Sequence, residues 1–77
     1  MKSIVDCEKG CNCKVLKIEA TGALKSRLIS FGIMKNANIE LLACAPAKKT
    51  FEIKVGKMRL ALRDEEAKLI KVTDEEN

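Results

Sequence analysis

The sequence predicts a mainly β fold, a small barrel of about five strands with one inserted short helix and a helical turn before the last strand. Two observations lead to this prediction. Short runs with alternating apolar and polar side chains recur along the 77 residues, separated by turn residues, which is typical of strands. One segment instead has helical spacing and stops abruptly at Gly32, a residue that adopts the left-handed conformation without steric cost.

The first strand is predicted over residues 12–19, where Cys13 and Val15 alternate with lysines. The double apolar step from Val15 to Leu16 indicates a bulge or an edge. A glutamate-to-glycine loop over residues 19–22 follows and leads into the helix.

The helix is predicted over residues 23–30. Leu24 and Leu28 are four residues apart and share one helical face, and Phe31 lies one turn further on. Gly32 ends the helix, and Asn36 predicts a second tight turn because asparagine tolerates a positive φ.

Three further strands are predicted in the second half of the chain. Residues 39–44 are almost continuously apolar, which favours a central position in the sheet. Pro46 ends this strand, since proline has no N–H to donate. Residues 50–55 and 58–63 alternate cleanly on either side of Gly56 and Lys57, which predicts a hairpin.

The chain closes with a helical turn from Asp64 to Lys68, for which Asp64 is the predicted N-cap. A last strand is predicted over residues 69–72, and residues 73–77 are expected to be a frayed acidic tail. The elements together describe an SH3-like barrel, a single domain over residues 1–77 with its core at about 4–72.

Charge is distributed unevenly along the chain. The net charge is +4, but residues 1–63 hold 13 lysines and arginines against 5 acids, and residues 64–77 hold 2 lysines against 6 acids. A basic body could meet an acidic protein surface, a membrane or nucleic acid. It could equally be the solvated face of the strands.

Several function classes lack the residues they need. There is no histidine for acid–base catalysis, and neither of the common nucleotide-binding glycine loops is present, so an enzyme is not expected. The chain has no tryptophan or tyrosine, which argues against polyproline recognition and against base stacking on nucleic acid. No apolar stretch approaches a membrane span and no secretory signal is visible, so we expect a cytoplasmic protein without a cofactor.

Four cysteines leave a metal site open as an alternative. Cys7, Cys11 and Cys13 are spaced x3 and then x1, unlike the x2 spacing of zinc knuckles, and Cys44 lies far along the chain. Cys13 also matches a core position. The spacing therefore favours free thiols with a structural role, and these four residues stay a weak candidate for metal binding.

The order of short motifs resembles the FeoA family of bacterial ferrous iron transport. The strongest match is RLISFGI at residues 27–33, which is similar to the family's RL-x-x-LG-[LI] element. Further matches follow in order at residues 39–42, 45–46, 53–56, 60–63, 66–67 and 70–72. Two features depart from the family: Asn36 replaces a usual glycine, and the loop after Pro46 is basic.

The resemblance implies an accessory protein that binds the cytosolic domain of FeoB, an Fe(II) transporter with a GTPase domain, and modulates iron uptake. Contact with the membrane would then be indirect, through FeoB, and weak self-association stays open. The residues expected to contact the partner lie on the helix, at its exit and in the basic loop: Leu24, Lys25, Arg27, Leu28, Phe31, Lys48 and Lys49. The alternative is a metal- or redox-responsive protein that uses the cysteines.

Overall fold

The computed structural model describes residues 2–45 and 49–74, without the side chain of Asp74. In chain order the elements are β1 (Lys2–Ser3), a 3-10 helix (Ile4–Asp6), β2 (Asn12–Ile18), α1 (Gly22–Ser30), β3 (Asn38–Ala45), β4 (Thr50–Val55), β5 (Met58–Arg63), α2 (Asp64–Ala67) and β6 (Ile70–Asp74). The prediction of a mainly β fold with one inserted helix and a helical turn before the last strand is confirmed.

The strands of the described residues form one antiparallel sheet in the order β1-β6-β2-β3-β4-β5. The short helix α2 contacts β4 and β5 at one edge of the sheet. It also contacts the 3-10 helix, which follows β1 at the other edge. Because one element touches both edges, the sheet curls on itself, and its inner face becomes the core.

The core is a single cluster of apolar side chains drawn from nearly every element. Leu28 of α1 is completely buried in it, and Leu24 and Phe31 pack against it while partly exposed. The predicted face of the helix is therefore confirmed. The most deeply buried side chains are Ile4, Leu28, Ile33, Ile39, Leu41, Ile53, Leu62, Ile70, Val15, Val72 and Cys13.

The two predicted left-handed turns both follow the end of α1. Gly32 has φ +91° and Asn36 has φ +74°.

The bulge predicted in β2 is also present, since the pairing with β6 shifts register between Val15 and Lys17. The bulge that the Val15–Leu16 step indicated is thereby confirmed, and Leu16 is the extra residue in it.

The structure also differs from the sequence prediction at both ends of the chain. β1 and the 3-10 helix were not predicted, since a two-residue strand carries no periodic signal. The N-cap of α2 is Arg63 rather than Asp64, because Glu66 Oε1 accepts the Arg63 backbone N–H at 3.0 Å. β6 continues to Asp74, two residues further than expected, by pairing with β2.

Some predictions lie outside the described residues: the role of Pro46, the position of Lys48 and the end of the acidic tail at residues 75–77. Within the described ranges, no helix combines the length and the apolarity needed to cross a membrane.

Candidate functional site: two grooves and a thiol cluster

Exposed apolar side chains gather around the exit from α1. In the described part of the chain, four large apolar residues are exposed: Leu16, Ile29, Met34 and Met58. Between 38% and 46% of the surface of each residue is accessible to solvent. All of them line one of two shallow grooves beside residues 29–34. Scattered exposed apolar residues are ordinary, whereas a concentration in one region marks a surface for interaction.

The first groove combines apolar walls with three lysines, and we call it the lysine-rimmed groove. It is lined by Leu16, Lys17, Ile18, Lys25, Ile29, Met34 and Lys35. Local structure explains each apolar wall. The β2 bulge leaves Leu16 unpaired and turned outward. Ile29 lies four residues after Lys25 on the outer face of α1, and Met34 follows the turn at Gly32.

The second groove lies on the other side of the helix exit. Ser30, Phe31, Gly32, Val55, Lys57 and Met58 line it. The left-handed turn at Gly32 brings the chain close to β4, since a Cβ at this position would lie 3.5 Å from Val55 Cγ1. Phe31, the residue before this turn, is half-buried and lines the groove with its exposed part.

The partner-contact residues expected from the sequence fall into different environments. Lys25 lines the lysine-rimmed groove and Phe31 lines the second groove. Leu28, by contrast, is completely buried, and its side chain belongs to the core. Leu24 packs partly against the core. Lys49 lies apart from both grooves, in a depression beside Arg63 and the first residues of α2.

Arg27 is engaged within the molecule. Its Nη2 lies 2.6 Å from Glu66 Oε2, and its side chain is 54% exposed. The other oxygen of Glu66 accepts the Arg63 backbone N–H. One carboxylate thus joins α1 to the beginning of α2, and Arg27 acts first as a structural tie between two helices.

The cysteines of the N-terminal region converge, contrary to what their spacing indicated. Sγ of Cys13 lies 2.8 Å from Sγ of Cys7 and 3.4 Å from Sγ of Cys11. All three sulfurs lie within 4.8 Å of one another. Cys44 is exposed and outside this group, which we call the thiol cluster.

The segment between β1 and β2 builds the thiol cluster. Asp6 accepts the backbone N–H of Ser3 at 3.0 Å, and Cys7 N donates to Ile4 O at 3.0 Å, so the 3-10 helix directs Cys7 inward. Gly10, with φ +85°, reverses the chain and donates to Leu41 O at 2.7 Å. The spacing argument failed because it assumed a regular strand or a knuckle here.

Two thiols of the cluster, those of Cys7 and Cys13, have a raised pKa, which favours their protonated form. Burial raises the pKa of Cys13, and the hydrogen bonds with Cys7 and Cys11 raise it further. Burial likewise raises the pKa of Cys7, although its hydrogen bond with Cys13 acts in the opposite direction. Cys7 and Cys13 are buried, whereas Cys11 is partly exposed.

The sequence pattern missed the apolar walls of the lysine-rimmed groove, although it named Phe31, which lines the second groove. Leu16 was noticed only as a sign of a bulge, and Ile29 was hidden within an ordinary helical segment. Ile29 is the residue from which this groove could have been predicted. It is an apolar residue on the polar side of a helix whose apolar face is already supplied by Leu24 and Leu28.

A curled antiparallel sheet with one inserted helix defines a small SH3-like domain, and this one has exposed apolar grooves beside its helix. The model of the FeoA domain matches residues 2–74. The chain therefore belongs to the FeoA family, and the resemblance seen in its motifs is confirmed.

Relatives agree with this assignment. A protein of Helicobacter pylori, assigned as Fe(2+) transport protein A, is 40% identical over 48 residues, which span 62% of this chain and 62% of that protein. A Campylobacter jejuni protein with the same assignment is 33% identical over 58 residues, 75% of this chain and 78% of the relative. The chain therefore spans about three-fifths to four-fifths of the relatives it matches.

A solved structure confirms the fold. The Stenotrophomonas maltophilia FeoA, described as complexed with zinc and as a prokaryotic SH3 domain protein, aligns with a TM-score of 0.82 and 24% identity. The alignment covers 95% of this chain and 91% of that one. The SH3-like architecture predicted from the strand pattern is thus confirmed.

Proposed function

We propose that this chain is a cytoplasmic accessory protein of Fe(II) uptake that binds the cytosolic domain of FeoB and modulates the transporter. Two findings support the proposal: membership of the FeoA family and the assignment of its relatives to Fe(2+) transport. In this role the chain is an interaction domain rather than an enzyme, and it acts on transport through its partner.

The observation that carries the proposal is the concentration of exposed apolar side chains around the exit from α1. Burying the apolar area of Leu16, Ile29 and Met34 against a partner gives the non-directional part of binding. Well-packed apolar anchors at the centre of an interface supply most of its binding energy. The groove is therefore the proposed centre of the contact.

Charge at the rim favours an acidic partner surface. Lys17, Lys25 and Lys35 line the same groove as the apolar anchors. Exposed rim charges mainly increase the association rate and orient the encounter, and salt screens them. We propose that FeoB presents carboxylates around an apolar projection that enters this groove.

This surface revises the contact set expected from the sequence. Lys25 and Phe31 stay in it, one in each groove, and Leu24 supports the helix from beneath. Arg27 contributes mainly by holding α1 against α2 through Glu66. Lys48 and Lys49 remain proposed contacts of a second, peripheral kind, since Lys49 lies outside both grooves.

The test measures binding of the full chain to the isolated FeoB cytosolic domain by titration calorimetry. Lys25→Glu reverses a charge at the rim of the lysine-rimmed groove. Lys9→Glu makes the same change at an exposed position that lines neither groove, and so it is the matched control. We expect Lys25→Glu to raise Kd about tenfold, or about 1.4 kcal/mol, and Lys9→Glu to leave it nearly unchanged.

A second variant, Ile29→Asp, removes an apolar anchor without touching the core. We expect it to abolish measurable binding while the unfolding temperature stays near that of the wild type. Equal binding by the wild type, Lys25→Glu and Ile29→Asp would reject the groove as the contact site. Absence of binding by the wild type would reject the partner itself.

A further inference from the structure

We propose that Cys7, Cys11 and Cys13 form a three-thiolate site for one thiophilic divalent cation of the Zn²⁺ class. The site is separate from the proposed FeoB contact and is built by a different part of the chain. It rests on the convergence of three sulfurs from an irregular segment, without any need for the grooves around α1.

Two of the three sulfur–sulfur distances are shorter than those of a tetrahedral thiolate site, and the third is at most 4.8 Å. With Zn–S bonds of about 2.3 Å, tetrahedral geometry places neighbouring sulfurs about 3.8 Å apart. The Cys7–Cys13 and Cys11–Cys13 separations are 2.8 and 3.4 Å, and every pair lies within 4.8 Å. Small rotations of the side chains about χ1 therefore suffice to place all three sulfurs around one ion.

The backbone that holds the sulfurs is fixed before any ion binds. Cys13 lies in β2 between Ile39 of β3 and Asp74 of β6, so its Cα position is set by the sheet. Cys11 O accepts from Leu41 N at 2.9 Å, and Cys11 N donates to Glu8 O at 2.9 Å. A cluster anchored on both sides loses little conformational entropy when a cation binds.

Burial gives the site a closed side and an open side. Cys7 and Cys13 are 8% and 2% exposed, whereas Cys11 is partly exposed. Two ligands are therefore shielded from water, and the third lies at the opening. Three protein ligands with access to solvent leave one tetrahedral position for water or an exogenous ligand, as in open metal sites.

The chemistry of binding is proton exchange without redox change. Each thiol loses its S–H proton to solvent as its sulfur lone pair forms a bond to the cation, so three protons leave and the oxidation states stay constant. Without a cation, three neighbouring thiolates would repel one another in a partly buried site. The cation removes this repulsion and holds the three sulfurs together.

The competing reaction is oxidation of Cys7 and Cys13 to a disulfide, which needs an external oxidant and leaves Cys11 as a single thiol. A cation uses all three sulfurs and needs no oxidant. The arrangement of three mutually close thiols thus favours metal binding over a single bridge. A reducing, oxygen-free experiment separates the two reactions.

The test titrates the full reduced chain with Co²⁺, which reports thiolate ligation by sulfur-to-cobalt charge-transfer absorption, and then displaces it with Zn²⁺. We expect one Co²⁺ per chain with this band. Cys11→Ser, at the most exposed of the three positions, should weaken the band, because one of three thiolates is lost, and should raise Kd at least about tenfold, since support outside the ligand shell alone is worth about 10–100-fold. Cys44→Ser is the matched control and should bind as the wild type does.

A second measurement uses the wild-type chain alone and so does not depend on the folding of a variant. Zn²⁺ should protect Cys7, Cys11 and Cys13 from iodoacetamide while Cys44 stays reactive, as read by mass spectrometry of the peptides. No Co²⁺ uptake by the reduced chain would overturn the proposal. So would protection centred on Cys44, or a Cys7–Cys13 disulfide in a chain that takes up no Co²⁺ after reduction.

Discussion

The thiol cluster and the lysine-rimmed groove, the two proposed binding sites, differ in how they expose their side chains to solvent. The cluster places soft ligands where two of its three sulfurs are shielded from water. The groove leaves apolar side chains in water and surrounds them with lysines. A cation site gains from exclusion of solvent, whereas a protein contact gains from surface that is still exposed and can be buried later. Changes in one region should therefore leave the function of the other intact.

The largest expected effect separates the core side of α1 from its groove side. Leu28→Ala should lower the free energy of unfolding by about 3 kcal/mol, because it leaves a cavity in the core. Its neighbour Ile29→Ala, on the exposed face, should change that energy by less than about 0.5 kcal/mol. Urea denaturation followed by circular dichroism measures both. Equal losses would mean that the groove wall belongs to the core.

The second prediction compares the thiols in the metal-free, reduced chain at pH 8. Burial raises the pKa of Cys7 and of Cys13, so each has a smaller thiolate fraction than an unperturbed cysteine. Cys44 is exposed to solvent. We expect iodoacetamide to modify Cys44 at least about tenfold faster than Cys13, as one unit of pKa corresponds to tenfold in thiolate. Comparable rates would show that the cluster opens readily.

These regions also differ in how far the sequence could predict them. Periodic elements were predicted well: α1 begins within one residue of its predicted start, and the hairpin turn at Gly56 and Lys57 was found. The signal there is local, since each side chain repeats along one face. The groove needs the β2 bulge and α1 to meet in space, so Leu16 and Met34 could not be paired from spacing alone.

The thiol cluster was harder still. Its three sulfurs converge only because a two-residue strand, a 3-10 helix and a left-handed Gly10 follow one another. None of these has a periodic signature in the sequence. Hydrogen bonds to Leu41, some thirty residues away, then fix the turn. A spacing rule taken from zinc knuckles had no access to such long-range contacts.

The third prediction compares the same substitution, glycine to alanine at a positive φ, in each of the two regions. Gly10 and Gly32 have φ values of +85° and +91°, so alanine at either position is forced into an unfavourable conformation and should cost about 1–2 kcal/mol of unfolding free energy. Gly10→Ala should weaken Co²⁺ binding and spare binding to FeoB. Gly32→Ala should do the reverse, because Gly32 lines the second groove and ends the helix that carries Lys25 and Ile29.

Titration calorimetry measures the binding of Co²⁺ and of the FeoB cytosolic domain by each of the two variants. Each variant is the control for the other. Their stabilities should be similar, so any difference in binding is due to location. If both variants lost both activities in parallel, the losses would reflect general destabilisation, and the independence of the two regions would be rejected.

The smallest effect is expected at Arg27, one of the partner contacts expected from the sequence. Its ion pair with Glu66 lies near the surface, where solvent and salt screen it, so Arg27→Ala should cost at most about 0.5 kcal/mol of stability. Glu66→Ala should cost more, since it also removes the acceptor of the Arg63 N–H at the start of α2. Binding to FeoB should weaken less in Arg27→Ala than in Lys25→Glu. A larger loss in Arg27→Ala would move the centre of the contact from the lysine-rimmed groove to the seam between α1 and α2.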